Sequence, residues 1–117
     1  MDLSNLQQYL IPALFVAFLG WRFFRFRAVK GKIPALIRQG AIVVDVRSAA
    51  EFKGGAREGS VNIPLNELSS RAGKLDRSKT IVLCCASGTR SGMAAVALRK
   101  MGFKDVVNAG PWTNTVV

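Results

Sequence analysis

The sequence predicts an α/β fold, an open parallel sheet with helices on both faces, preceded by one transmembrane helix. Three observations carry this reading. Residues 9–21 form a run of thirteen without a charge. Residues 41–46 and 80–84 are short, continuously apolar runs bounded by loop residues, the pattern of strands buried on both faces. Segments of helical spacing alternate with those runs, as crossover helices do.

The apolar run is short for a span, which needs about 20 residues. Extending it to residues 6–24 includes Gln7, Gln8 and Arg22. The two glutamines then lie near the headgroups, and Arg22 snorkels to the interface. Tyr9 and Trp21 fall near the two ends, where interfacial aromatics concentrate. Pro12 is expected in the first turns, where a missing amide costs least. A signal peptide needs a positive amino-terminal region, and residues 1–8 contain Asp2 and no Lys or Arg. Residues 10–19 are apolar all round, unlike an interfacial amphipathic helix.

Positive charge follows the run instead. Arg22, Arg25, Arg27, Lys30 and Lys32 contribute to a net charge of +10 with no acidic residue between them. The positive-inside rule then orients the chain as a single-pass protein of the inner (cytoplasmic) membrane, its domain facing the cytoplasm. A basic cluster just inside a span explains the charge without invoking nucleic acid. Residues 1–32 are thus read as anchor helix and basic linker, and residues 33–117 as the globular domain.

Within that domain, residues 33–40 predict a short helix with Pro34 in its first turn and Gly40 at its end. Residues 41–46 follow as a buried strand. Ser48 caps a helix through Phe52, and Gly54-Gly55 marks a loop. Residues 61–63 form a brief strand closed by Pro64, and residues 66–75 are loosely helical. Residues 80–84 are the second buried strand. Residues 91–101 read as a helix with Met93, Val96, Ala97 and Met101 on its apolar face and Arg99 and Lys100 near its carboxyl end. Val106-Val107 indicates a further strand.

The chemistry is expected where the second buried strand turns into that last helix. Ligands of open α/β sheets bind beyond the carboxyl ends of the strands. A tight loop entering a helix aims successive amides at one point, and the helix dipole reinforces this anion cradle. A thiol there is held as thiolate and needs no histidine base, of which the chain has none. Cys85 is the candidate nucleophile, with Ala86, Ser87, Gly88, Thr89 and Arg90 around its substrate. Adjacent cysteines bridge only with strain, so Cys84 and Cys85 are read as free thiols. Cys84 is most simply a core residue at the strand end. No metal or organic cofactor is expected.

The stretch Cys85-Ala-Ser-Gly88-Thr-Arg90-Ser91 resembles the active-site loop of single-domain rhodaneses, Cys-x-x-Gly-x-Arg-Ser. Asp45-Val46-Arg47 with Glu51-Phe52 is similar to that family's Asp-Val-Arg…Glu-Phe signature. Gly59 to Leu65 is similar to its Gly-x-x-Asn-Ile-Pro-Leu segment, and residues 101–110 to its closing stretch. The resemblance implies a rhodanese-like fold, with Cys85 alternating between thiol and persulfide. The amides of residues 86–90 would hold the terminal sulfur, with Asp45 and Arg47 as supporting ion-pair or loop residues. It implies a small sulfur-donor anion such as thiosulfate and a thiol or cyanide acceptor, with a protein persulfide as a further donor or acceptor. Arg57-Glu58 and Ala109-Gly110 depart from the family's usual histidine and paired glycines.

Two rivals remain. Cysteine phosphatases of the same fold use Cys-x5-Arg, a spacing met by Cys84 and Arg90. Their glycine stands three residues after the cysteine, and Gly88 is three after Cys85 but four after Cys84. The other rival is a membrane-tethered module that only binds a partner.

Overall fold

The computed structural model describes residues 3–116. Its first element, α1 (Leu3–Arg38), is one helix of 36 residues that passes through Pro12 and Pro34 without ending. Each proline removes a single amide donor, a local loss that the long helix tolerates. Pro12 lies in the third turn of the described helix, among its first turns as expected. The short helix expected at residues 33–40 is the end of this same helix, which crosses the 32/33 boundary unbroken.

The sheet comprises β1 (Ile42–Asp45), β2 (Val61–Asn62), β3 (Ile81–Cys85) and β4 (Val106–Pro111), in the order β2-β1-β3-β4. All pairings are parallel. Between the strands lie α2 (Ala49–Lys53), α3 (Leu68–Arg71) and α4 (Thr89–Lys100), with single 3-10 turns beside α3 and after β4. The expected strands and helices are present. β4 is longer than the two valines that announced it, and α4 starts two residues earlier than expected.

Side chains alternate across a strand, so the buried strands feed two cores. On one face Val44, Leu83 and Cys85 pack with Leu68, Ala94, Ala95 and Leu98 of α3 and α4. On the other, Val43, Val82 and Cys84 pack with Ile33 of α1 and Ala109 of β4. The carboxyl-terminal part of α1 therefore supplies the helical layer of the second face. Its amino-terminal part leaves Tyr9, Ile11 and Val16 exposed all round, and α1 is long and apolar enough to cross a membrane by length and composition.

One expectation holds only in part on α4, where Ala97 and Met101 of the expected apolar face pack against the core but the other two residues do not. Met93 and Val96 are half exposed or more, at 58% and 50%, while Ser91, Ala94, Ala95 and Leu98 face the sheet. The helix is rotated so that alanines lie against β3, where small side chains allow close approach, and so that Ser91 reaches the strand end.

Candidate active site

β3 ends at Cys85 and α4 starts at Thr89, so three residues make the connection. Gly88 takes φ of +99°, a left-handed turn open to glycine without strain. That turn brings the Gly88 amide back over the preceding side chain, where it donates to Cys85 Sγ at 2.8 Å. The Ser91 hydroxyl has two acceptors within reach, Cys85 Sγ at 3.4 Å and Asn108 Oδ1 at 2.7 Å, and its one proton serves either. Asn108 is tied in turn to the loop, its amide group donating to the Gly88 carbonyl at 3.1 Å. A bulge opposite Leu83 and Cys84 brings Asn108 to this position, by inserting Ala109 as an unpaired residue in β4.

These contacts decide the state of the sulfur. Burial pushes the Cys85 thiol up, but hydrogen bonds from Ser91, through side chain and backbone, and from the Gly88 and Ser87 amides outweigh it. The net shift is downward. Cys84 behaves in the opposite way. Its side chain points to the α1 face, and burial, with Asp45 nearby, drives its thiol far up. Two neighbouring cysteines thus differ because one strand residue separates opposite faces of the sheet. Both are free thiols. A phosphatase loop built on Cys84 would need a thiolate in a core without amide donors.

Arg90 projects from the first turn of α4 and makes a paired contact with Glu51, at 2.7 and 3.0 Å. Glu51 also closes the capping box of α2 with Ser48. The Arg90 guanidinium, with the Ser48 amide and hydroxyl, holds its carboxyl down at about 2. Arg90 is therefore a paired charge at the mouth of the loop, beside a cleft of about 560 Å³ that Val46, Pro64, Leu65 and Asn66 also line.

Asp45 and Arg47 lie at the end of β1, next to β3. Their buried ion pair is 2.7 Å long, and Arg47 also donates to the Gly55 carbonyl at 2.7 Å. The Trp112 ring lies under the Arg47 guanidinium, 4.9 Å away. Asn62 donates to the carbonyls of both residues at 3.0 and 2.9 Å. The pair braces the β1–α2 turn, and α2 carries the Glu51 that meets Arg90.

The residues expected at the site thus fall into two groups. Residues 85–90 run consecutively from the end of β3 into the first turn of α4, and Asp45 and Arg47 support the neighbouring turn without touching the sulfur. Reasoning from sequence passed over Glu51, Ser91 and Asn108 as site residues, although the family-like motifs contain all three. It also missed Arg22 and Phe26, which contact the loop from more than 60 residues away and carry no local signal.

A cysteine cradled at the strand-to-helix turn of an open parallel sheet defines a thiol-centred α/β domain. The chain belongs to the rhodanese-like domain family, whose model matches residues 31–109. YrkF of Bacillus subtilis is 41% identical over 75 residues, covering 61% of this chain and 40% of YrkF. The thiosulfate sulfurtransferase PspE of Escherichia coli is 35% identical over 69 residues, covering 57% of this chain and 66% of PspE. The matched part therefore spans less than two thirds of either relative. Among solved structures, a rhodanese with anions from Escherichia coli superposes with a TM-score of 0.59 at 31% identity, over 64% of this chain and 91% of that one.

Proposed function

We propose that this chain is a membrane-anchored sulfurtransferase in which Cys85 carries sulfur as a persulfide. The observation that carries the reading is the 2.8 Å hydrogen bond from the Gly88 amide to Cys85 Sγ, at the centre of a loop that favours thiolate. In the first half-reaction the Cys85 thiolate attacks the outer sulfur of thiosulfate. A new S–S bond forms on Cys85, the S–S bond of thiosulfate breaks, and sulfite leaves with the electron pair. In the second, an acceptor thiolate attacks the outer sulfur, takes it as its own persulfide and returns Cys85 to thiolate. Cyanide in place of the thiol yields thiocyanate.

Ser87, Gly88 and their neighbours in residues 86–90 are the groups assigned to the terminal sulfur, while Arg90 and Glu51 shape the entrance. Thiosulfate is the proposed laboratory donor, in keeping with the name of the PspE relative. In the cell a protein persulfide can replace thiosulfate by giving its outer sulfur to the Cys85 thiolate and leaving as thiolate, and a thiol completes the cycle as acceptor. Residues 1–32 are assigned to the anchor and linker, residues 33–117 to the sulfur-transfer domain, and the domain to the cytoplasmic side of the inner membrane.

The experiment is the intact and peptide mass of the full chain after brief exposure to thiosulfate, with Cys85→Ser as control. A gain of one sulfur, mapped to Cys85 and released by cyanide as thiocyanate, is expected. A folded wild-type protein that gains none refutes the persulfide cycle.

A further inference from the structure

The helix that anchors the chain also touches the reactive loop. Phe26 is the first largely buried side chain of α1, only 8% exposed, and its ring lies between two glycines of the domain. A methyl group on Gly88 would meet the ring at 2.6 Å, and one on Gly110 at 2.8 Å. Both glycines have positive φ, so neither position accepts a side chain on conformational or on spatial grounds. One turn earlier, Arg22 Nη2 donates to the Ser87 carbonyl at 2.8 Å and lies 3.1 Å from Thr89 Oγ1. The Arg22 guanidinium also sits over the Phe26 ring, 5.3 Å from its centre.

These contacts are two steps from the sulfur. The ring abuts Gly88, whose amide donates to Cys85 Sγ. It also abuts Gly110, whose amide donates to Asn108 Oδ1 at 3.0 Å, the same oxygen that receives the Ser91 hydroxyl. Arg22 holds Ser87 and Thr89, the residues that flank Gly88. A loop of three residues with a left-handed glycine has little rigidity of its own. A buried ring and a guanidinium from one face of a 36-residue helix restrict it at Ser87, Gly88 and Thr89.

We infer that Phe26 and Arg22 are positioning residues for the Cys85 loop, so that the membrane helix is a structural part of the active site and not only its tether. The inference rests on Cys85 as the reactive thiol. Phe26 holds the Gly88 amide over the sulfur, and Arg22 fixes the loop's outer edge. The reactive loop is consequently fixed within one turn of the residue expected to end the span. Any displacement of α1 by a neighbouring membrane helix reaches the sulfur through these two side chains.

The test is the pH profile of Cys85 alkylation by iodoacetamide, read by peptide mass on the full chain in detergent micelles, alongside sulfur loading from thiosulfate. Phe26→Ala and Arg22→Gln are expected to move the alkylation midpoint to higher pH, because a loosened Gly88 amide stabilises thiolate less. Loading should fall on the order of tenfold, as for modest misplacement of a reacting group. Phe26→Leu and Arg22→Lys should recover part of both, and Phe24→Ala, on an exposed side chain of the same helix, should match wild type. If Phe26→Ala fails to fold, Phe26→Leu and Arg22→Gln decide the matter. Folded variants with an unchanged or lowered midpoint overturn the inference, even if their thermal stability drops, since a purely structural role would alter stability alone. A wild type that takes up no sulfur, with the midpoint still moving in the variants, leaves the positioning role standing and defeats the sulfurtransferase reading.

Discussion

At the scale of single residues, the site depends on which face of β3 each thiol occupies. Cys85 receives the Gly88 amide, and Cys84 lies in an apolar core with no such donor. Cys85→Ser is therefore expected to abolish sulfur transfer, while Cys84→Ser retains most of it. Equal losses in thiocyanate formation would reject that division. Asp45 presents a different case. Its carboxylate pairs directly with the buried Arg47 guanidinium, at 2.7 Å. Removing one partner of a buried pair leaves an uncompensated charge, so Asp45→Asn is expected to destabilise the domain by about 3–5 kcal/mol. A thermal midpoint close to wild type would show that Arg47 finds compensation elsewhere.

At the scale of elements, α2 and α1 hold the loop from opposite sides. Glu51 on α2 pairs with Arg90, and its folded value of about 2 lies below the ordinary 4.5. A depressed carboxylate contributes stability above the unfolded value and loses it as pH falls through the folded one. The contribution of this pair should thus disappear between pH 4.5 and about 2. Glu51→Gln should flatten that part of a stability-versus-pH curve, most visibly at low salt, because the pair is solvent-accessible. An identical curve would mean that Arg90 and Glu51 do not pair in solution. On α1, Ile33 is fully buried against Val43, Val82 and Cys84. Truncation to alanine removes the centre of that contact, and Ile33→Ala is expected to cost about 2–5 kcal/mol. Hydrogen exchange should then accelerate in the last turns of α1 before it does in α4.

At the scale of the whole molecule, a single helix joins an exposed apolar segment to the core of the domain, which extends the described chain to 59 Å along one axis. About 20 residues suffice to cross a bilayer. The remaining turns are docked on the sheet, with Arg22 and Phe26 at the transition. The asymmetric charge around residues 6–24 supports the proposed outward placement of the amino terminus. A cysteine introduced at position 2, in a Cys84→Ser, Cys85→Ser background, should react with an impermeant maleimide in intact cells. Protection until the membrane is permeabilised would reverse the assigned orientation.

The sequence alone determined the α/β order, the long apolar helix, the two buried strands and the strand-to-helix turn at residues 85–90. These are properties of short windows: hydrophobic period, turn residues and a motif of fixed spacing. Tertiary structure decided what windows cannot hold. Arg90 pairs with Glu51 across 39 residues, and Ser91 meets Asn108 because a bulge in β4 turns that side chain inward. The apolar residues of α4 pointed to Met93 and Val96 as core, but the sheet selected Ala94, Ala95 and Leu98, the two alanines allowing the close approach that brings Ser91 to the strand end. The continuity of α1 through Pro34, and with it the contact of Phe26 on Gly88 and Gly110, follows from docking on a surface assembled from residues far along the chain. Local pattern specified the elements, and long-range packing specified which side chains surround the sulfur.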